Sequence, residues 1–530
     1  MYVESRFPRF LVVIEKFEPH GLEINSTHVI FPDPPASFGV ILKLLESNNE
    51  LFYIGISLDM DRIISIDVHR LDFSQMVWEK VKSIRDRVFF LSGIALPFTC
   101  QAINPETDGG LIYLTFSPKN FLYIYNIEDN SLVMGQTFSN LPKWRYGSLW
   151  FMPDRRMTHS IQEERGRTHS RGGDSSFAIH SNETRDRASN SCAFSFENIH
   201  DYLHFRATNN IFRLRAPVPF QRRSLSMSSF DLSCSPLFVF FEQEKFLTFV
   251  HPKHGINFKY NMTLPEDIQG GCEICYSKDG WLLLAVNTFC NMFFNPFTKE
   301  VKELAYGPAP EQRRRDILSL GFSHPPTSSE CVIVELRGFT DMTVHTTCLG
   351  EEEWEEVYFE ESKFIRASLN PCFHNGAFYY LNNDGKLGFV NVGDEDIYWE
   401  ECEKPDAPRC ARTDYYKCYL VECNGSLLSV FEGYLGNWVR VFKLDETDMQ
   451  WVKVNSLENH MLFVGNQSFS AVANIPGMEN KIYFPRFHGD YIVFYSLDTG
   501  KYHTFESTKV VDFHCMREQL NSSWILPRWR

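Results

Sequence analysis

The chain has 530 residues and a formal charge of −15. That acidic balance argues against a nucleic-acid partner, whose phosphates call for a basic footprint, and suits a protein partner. Hydrophobic residues make up 43% and aromatics 15%, with 47 Phe and 22 Tyr, enough for packed cores and weighted toward pleated sheet.

The opening stretch, MYVESRFPRFLVVIEKFEPHG, holds one short apolar run, Phe10 to Ile14, behind acidic Glu4. It does not read as a secretion signal, and no stretch reaches the roughly 20 apolar residues that span a bilayer. The 14 cysteines are scattered, and Cys331, Cys348 and Cys418 sit inside apolar runs. They read as reduced packing residues of a cytoplasmic or nuclear protein. Residues 1–41 give no clear assignment.

Residues 42–153 repeat residues 418–527. LLESNNELF (Leu44 to Phe52) echoes LVECNGSLL (Leu420 to Leu428). Leu71 and Asp72 echo Leu444 and Asp445, and Trp78, Val81, Ser83 and Phe90 match Trp451, Val454, Ser456 and Phe463. After a small shift, Ile112, Tyr113 and Tyr125 match Ile482, Tyr483 and Tyr495, and SLWFMP (Ser148 to Pro153) closes against SSWILP (Ser522 to Pro527). Ordered matches with small register shifts mark a tandem duplication of part of one unit.

Residues 154–197 are rich in Arg, Ser, Asn and acid with no apolar period, the composition of a flexible linker. The segment 198–217 follows. Its helical spacing places Tyr202, Phe205 and Phe212 near one face.

From residue 232 to 527 the pattern is short strands and tight turns. Trp354, Trp399 and Trp451 close apolar strands at intervals of about 45 to 50 residues, the spacing of propeller blades. Hairpin signals lie between them, around Asn424-Gly425 for example. The expectation is an all-β fold: one six- or seven-bladed β-propeller, with an additional partial propeller of about two blades at the N-terminus. The segment around Trp524 should pair beside an early strand, because the ring otherwise keeps an open edge. Two blades cannot close by themselves, so the first copy should pack against the full propeller or be marginally ordered.

Residues with chemical potential read as structural. Cys272 and Cys275 have metal-ligand spacing, but no second pair follows at zinc-site distance, and strand alternation favours packing. His251 and His254 fall in a turn, Arg313 to Arg315 in a loop, and the acidic run from Gly350 to Ser362 along a solvated blade edge. GxSxG, P-loop, GxGxxG and HExxH motifs are missing from the sequence. The expectation is a protein with no catalytic residues, no metal and no cofactor, although an enzyme with its site in the propeller channel is a competing reading.

GWLLLAVN, FFNPFTKEVKEL, LVECNGSLL, WVKVNSL, LFVGNQSFS and ENKIYFPR, spread over residues 232–527, together resemble the plant KIB-type β-propeller family, which is F-box-like and kelch-like. The first copy resembles the last third of such a unit. The resemblance implies a substrate-recognition component of SCF-type E3 ubiquitin ligases, in which an F-box binds a Skp-type adaptor and the propeller holds a target protein. Residues 198–217 resemble the last part of an F-box, which makes Tyr202, Phe205 and Phe212 adaptor-binding candidates. The chain lacks the LPxDLL-type first helix of that motif. An adaptor-uncoupled interaction propeller without a ligase role is therefore the alternative.

Overall fold

The computed structural model describes residues 2–134 and 235–528, less several short segments between strands, and describes side chains from residue 41 onward. Among these residues the secondary structure is strand, with short 3-10 turns. The fold class read from the sequence, all-β and propeller-like, is the one observed.

Six sheets follow one another from residue 237 to 525. Blade 1 sets Ser522–Ile525 beside Leu237–Glu242, followed by Phe246–His251 and Gly255–Thr263. Blade 2 comprises Glu273–Lys278, Trp281–Ala285, Asn291–Asn295 and Glu300–Glu303, and blade 3 Ile317–Phe322, Val332–Arg337, Met342–Cys348 and Glu355–Phe359. Blade 4 comprises Cys372–His374, Ala377–Leu381, Leu387–Asn391 and Tyr398–Glu401, and blade 5 Tyr415–Cys423, Ser426–Gly433, Val439–Asp445 and Gln450–Val454. Blade 6 departs from the meander. Its order is Phe469–Val472, His460–Phe463, Lys481–His488, Tyr491–Ser496, Lys501–His503, and the second and third of these strands run parallel.

The packing follows from strand alternation, which sends successive side chains to opposite faces. In Val332–Arg337, Ile333 packs toward blade 2 and Val334 toward blade 4, so both faces are apolar. The same device joins blade 1 to 2 through Leu237, Phe249 and Leu282, blade 4 to 5 through Leu381 and Leu420, and blade 5 to 6 through Val430 and Leu462. Phe463 and Tyr483 of blade 6 then share a cluster with Phe238 and Trp524 of blade 1, so the contacts return to their start. The expected pairing of the Trp524 segment with an early strand is present: Phe238 faces Trp524 in an antiparallel ladder. The indole is fully buried and donates to the Val464 carbonyl at 3.1 Å.

Turn chemistry matches the hairpins. Asn375-Gly376 and Asn424-Gly425 adopt positive φ at both positions, 47° and 84° in one and 50° and 73° in the other, which the right-handed twist of a two-residue hairpin requires. The outermost strands carry exposed Glu355, Glu356 and Glu401, charges that discourage edge-to-edge pairing.

The first copy forms two sheets. One comprises Gly39–Ser47, Glu50–Asp59, Arg62–Asp72 and Val77–Lys80. The other sets Phe98–Gln101, Arg87–Ser92, Leu111–Phe116, Phe121–Asn126 and Ser131–Met134 side by side, with Phe90 opposite Tyr113 in a parallel pair, as Phe463 stands opposite Tyr483 in blade 6. A separate three-stranded sheet comprises Tyr2–Glu4, Leu11–Glu18 and Gly21–Asn25.

Of the two outcomes expected for the first copy, packing on the propeller is observed. The strand Arg517–Gln519 pairs with Ser131–Met134 on one side and with Lys481–His488 on the other, making one continuous sheet of the two copies. Arg517 reaches Asp129 at 3.2 Å, and Leu520 enters the apolar cluster between the two sheets of the first copy.

Candidate interaction surface

The inner strands hold one another mainly through neutral groups. Tyr276 of blade 2 donates its hydroxyl to the carbonyl of Pro371, at the entry to blade 4, over 3.2 Å. It passes blade 3 at Gly321, where a Cβ would meet Pro371 Cγ at 2.8 Å and Tyr276 Cε2 at 3.2 Å. Glycine is the residue that leaves this space. Asn370 donates to the Cys275 carbonyl at 2.7 Å, and Ser277 and Ser523 share a hydroxyl contact at 2.7 Å. Burial pushes the Tyr276 phenol well above its usual range and the Cys372 thiol up to about 12. The Lys278 ammonium lies 4.6 Å from the centre of the Phe373 ring, and burial lowers its pKa. These groups brace the inner strands.

Charge is concentrated where blades 5 and 6 meet the strand that carries the first copy. Arg486 is fully buried and forms a two-pronged pair with Glu432, its Nη2 at 2.9 Å from Oε2. Tyr502 donates to the same carboxylate at 2.7 Å. Lys417 donates to both oxygens of Glu518 at 2.7 and 2.8 Å, and Arg486 Nε lies 3.4 Å from Glu518. Burial works against the Arg486 charge, but Glu432 and Glu518 outweigh it and hold the guanidinium well above its usual pKa. Each charge has a partner and each carboxylate two donors, so the cluster ties elements together.

The blade ends differ in what they can present. In a four-stranded meander the first and third connections share one end, and the second shares the other end with the crossing to the next blade. In blades 2, 4 and 5 the first connection is a two-residue turn: Asp279-Gly280, Asn375-Gly376 and Asn424-Gly425. The crossings at the opposite end are long, spanning residues 304–316, 360–371 and 402–414. The sequence carried by that end includes Arg313 to Arg315 in a crossing and Phe289, Phe339 and Tyr434 in second connections. Arginine and large aromatics are the residues that dominate binding energy at protein interfaces. These six residues, like the adaptor candidates Tyr202, Phe205 and Phe212, lie outside the described residues.

Other sequence candidates fall in structural positions. Cys272 is buried in the cluster between blades 1 and 2 with its thiol 2.9 Å from the Ile268 carbonyl, and Cys275 is half-buried on an inner strand. His251 and His254 flank a tight turn with ring centres 4.9 Å apart. The acidic run supplies the edge strand Glu355–Phe359, as expected. Among the described residues, no group of three or more His, Cys, Asp or Glu side chains could hold a metal ion. Sequence reasoning missed the Tyr276–Gly321–Pro371 brace. The available signal was an isolated glycine inside the apolar strand ILSLGF, which marks a close approach of another group.

Sheet order and packing define a six-bladed β-propeller with a partial second copy attached. Residues 249–506 match the model of the KIB1-4 β-propeller family. The F-box/kelch-repeat protein At1g57790 of Arabidopsis thaliana is 31% identical over 258 residues, covering 47% of this chain and 70% of that protein. The Arabidopsis F-box protein At3g56470 is 26% identical over 280 residues, 50% of this chain and 70% of that one. A third Arabidopsis relative, the F-box protein At4g00893, is 27% identical over 261 residues, 46% of this chain and 64% of that one. The chain belongs to the KIB1-4 β-propeller family.

Proposed function

We propose that this protein is a non-enzymatic recognition module that holds a target protein on the crossing end of its propeller, as an F-box-type receptor does. The contrast between blade ends carries the reading. Two-residue turns are the first connections of blades 2, 4 and 5 at one end, whereas the other end carries crossings of a dozen residues, one with three arginines, and second connections with aromatic side chains, which together would supply contact area on a rigid frame. The relatives' description as F-box proteins supports the link to ubiquitin ligases. In this reading residues 198–217 engage a Skp-type adaptor through Tyr202, Phe205 and Phe212.

The test is a titration of the intact chain with purified Skp-type adaptor, run beside Phe205→Asp. Saturable binding that the substitution abolishes is the expected result. If the intact chain does not bind at tens of micromolar adaptor, the receptor reading falls and the adaptor-uncoupled propeller takes its place.

A further inference from the structure

The outer face of the 39–80 sheet is an apolar surface whose cover is not accounted for by its own strands. Leu51, Tyr53 and Leu71 are 2%, 1% and 3% exposed, and the residues clustered with them, Leu42, Leu44, Met76 and Trp78, all belong to the same sheet and its turn. One face of a single sheet cannot bury itself, so another layer must lie on it. The duplicated face in blade 5 shows what kind of layer fits. Leu44, Leu51, Leu71 and Trp78 correspond to Leu420, Leu427, Leu444 and Trp451, and blade 4 covers those with Cys372, Tyr379, Leu381 and Leu387. Trp451 there donates to the Gly385 carbonyl of blade 4 at 2.8 Å.

Strand positions point to the layer. In the register that sets Leu44 against Leu420, the strand Gly39–Ser47 falls on Tyr415–Cys423 from end to end. In the same register Tyr2–Glu4 falls within Ala377–Leu381, Leu11–Glu18 starts on Leu387–Asn391, and Gly21–Asn25 overlies Tyr398–Glu401. Both sets are antiparallel and in the same order. The segments that follow them, 26–38 and 402–414, are equal in length. Consecutive sheets of a propeller are neighbours in space.

We propose that the three-stranded sheet of residues 2–25 is a blade of the first copy, covering the Leu51–Tyr53–Leu71 face as blade 4 covers blade 5. The first copy is then an arc of three sheets, and the duplication reaches back to the second strand of blade 4, Ala377–Leu381.

The experiment uses the full chain with the photoreactive residue p-benzoylphenylalanine in place of Met76, on the rim of the face. Irradiation should join it to a peptide within residues 2–25 of the same molecule. A cross-link into residues 135–234, or one that forms only between two molecules, overturns the proposal. A second measurement introduces Val13→Pro, which removes a ladder donor from the strand Leu11–Glu18. Amide exchange in Glu50–Asp59 should rise about tenfold or more, while that in the matching blade 5 strand Ser426–Gly433 stays as in the parent. Unchanged exchange in Glu50–Asp59 also overturns it.

Discussion

The two copies share an aromatic core and differ in the buried ion cluster beside it. In blade 6, Phe463 stacks on Tyr483 at 4.8 Å and 12° and on Phe469 at 5.4 Å. In the first copy, Phe90 stacks on Tyr113 at 5.1 Å and 14° and on Phe98 at 4.8 Å. The stacked arrangement of the rings and the parallel strand pair beneath them are the same. Yet where the propeller has Glu432 and Arg486, the aligned positions of the first copy hold Ile56 and Phe116, and Ile56 is fully buried. Apolar packing is thus the property of the repeat, because any neighbouring sheet can satisfy it. The ion cluster is the property of one location, because it works only where Glu518 and Lys417 arrive to complete it.

That contrast predicts that the pair can be exchanged but not halved. Arg486→Ala leaves Glu432 buried without its main partner and should destabilise the protein by about 3 to 5 kcal/mol. The double change Glu432→Ile with Arg486→Phe, which installs the residues of the first copy, should cost clearly less than either single truncation. Urea unfolding of Arg486→Ala, Glu432→Ala and the double variant decides it. A double variant as unstable as the sum of its parts would mean that the ions are indispensable and the copies are not interchangeable here.

Much of this architecture was readable in advance. Asn-Gly turns, paired apolar runs and evenly spaced tryptophans gave the blades, and the need to cover an edge placed Trp524 beside an early strand. Three features escaped. The parallel pair in blade 6 depends on how residues 464–480 cross, and the strands on either side read the same whichever way they pair. The strand Arg517–Gln519, which joins the copies, is three residues long and has no apolar period to betray it. Glu432 and Arg486 lie 54 residues apart, so no local charge pattern could match them. Local rules of turn and period carry the fold, whereas the long-range polar contacts that fix one copy against the other leave no local trace. The candidate interaction end was legible only as the place where strands stop and long polar segments begin.

A histidine sharpens the comparison at a second site. His69 of the first copy aligns with Phe442 of blade 5. Burial lowers its pKa to about 4, with Asp67 pulling the other way. The folded value lies below the unfolded one of about 6.5, so the folded state favours the neutral ring. The stability this gives is present above pH 6.5 and is lost as the pH falls toward 4. It amounts to at most about 3 kcal/mol. Phe442 offers no such dependence. Amide exchange in Arg62–Asp72 should therefore accelerate between pH 6.5 and 4, relative to the intrinsic rates, more than exchange in Val439–Asp445. His69→Phe should abolish the difference, and a difference that survives the substitution would assign it to another group.

The smallest effect tests the turns. Gly425 of blade 5 adopts φ 73°, and the aligned Asn49 adopts φ 63°. Both residues enter the left-handed region, but asparagine does so against a steric penalty that glycine avoids. A Cβ built on Gly425 meets nothing within 4 Å, so a side chain there is strained by the backbone alone and not by crowding. Gly425→Ala should then cost about 1 kcal/mol, the penalty for an L-residue in that conformation. Gly425→Asn should cost less, since a short polar side chain tolerates the region better. The reverse change, Asn49→Gly, trades relief of strain in the folded turn against a more flexible unfolded chain, so its net effect should be smaller still. Chemical denaturation resolves the series. If Gly425→Ala proved as stable as the parent, the positive φ would not be what selects glycine, and the two copies would differ at this turn for a reason other than backbone strain.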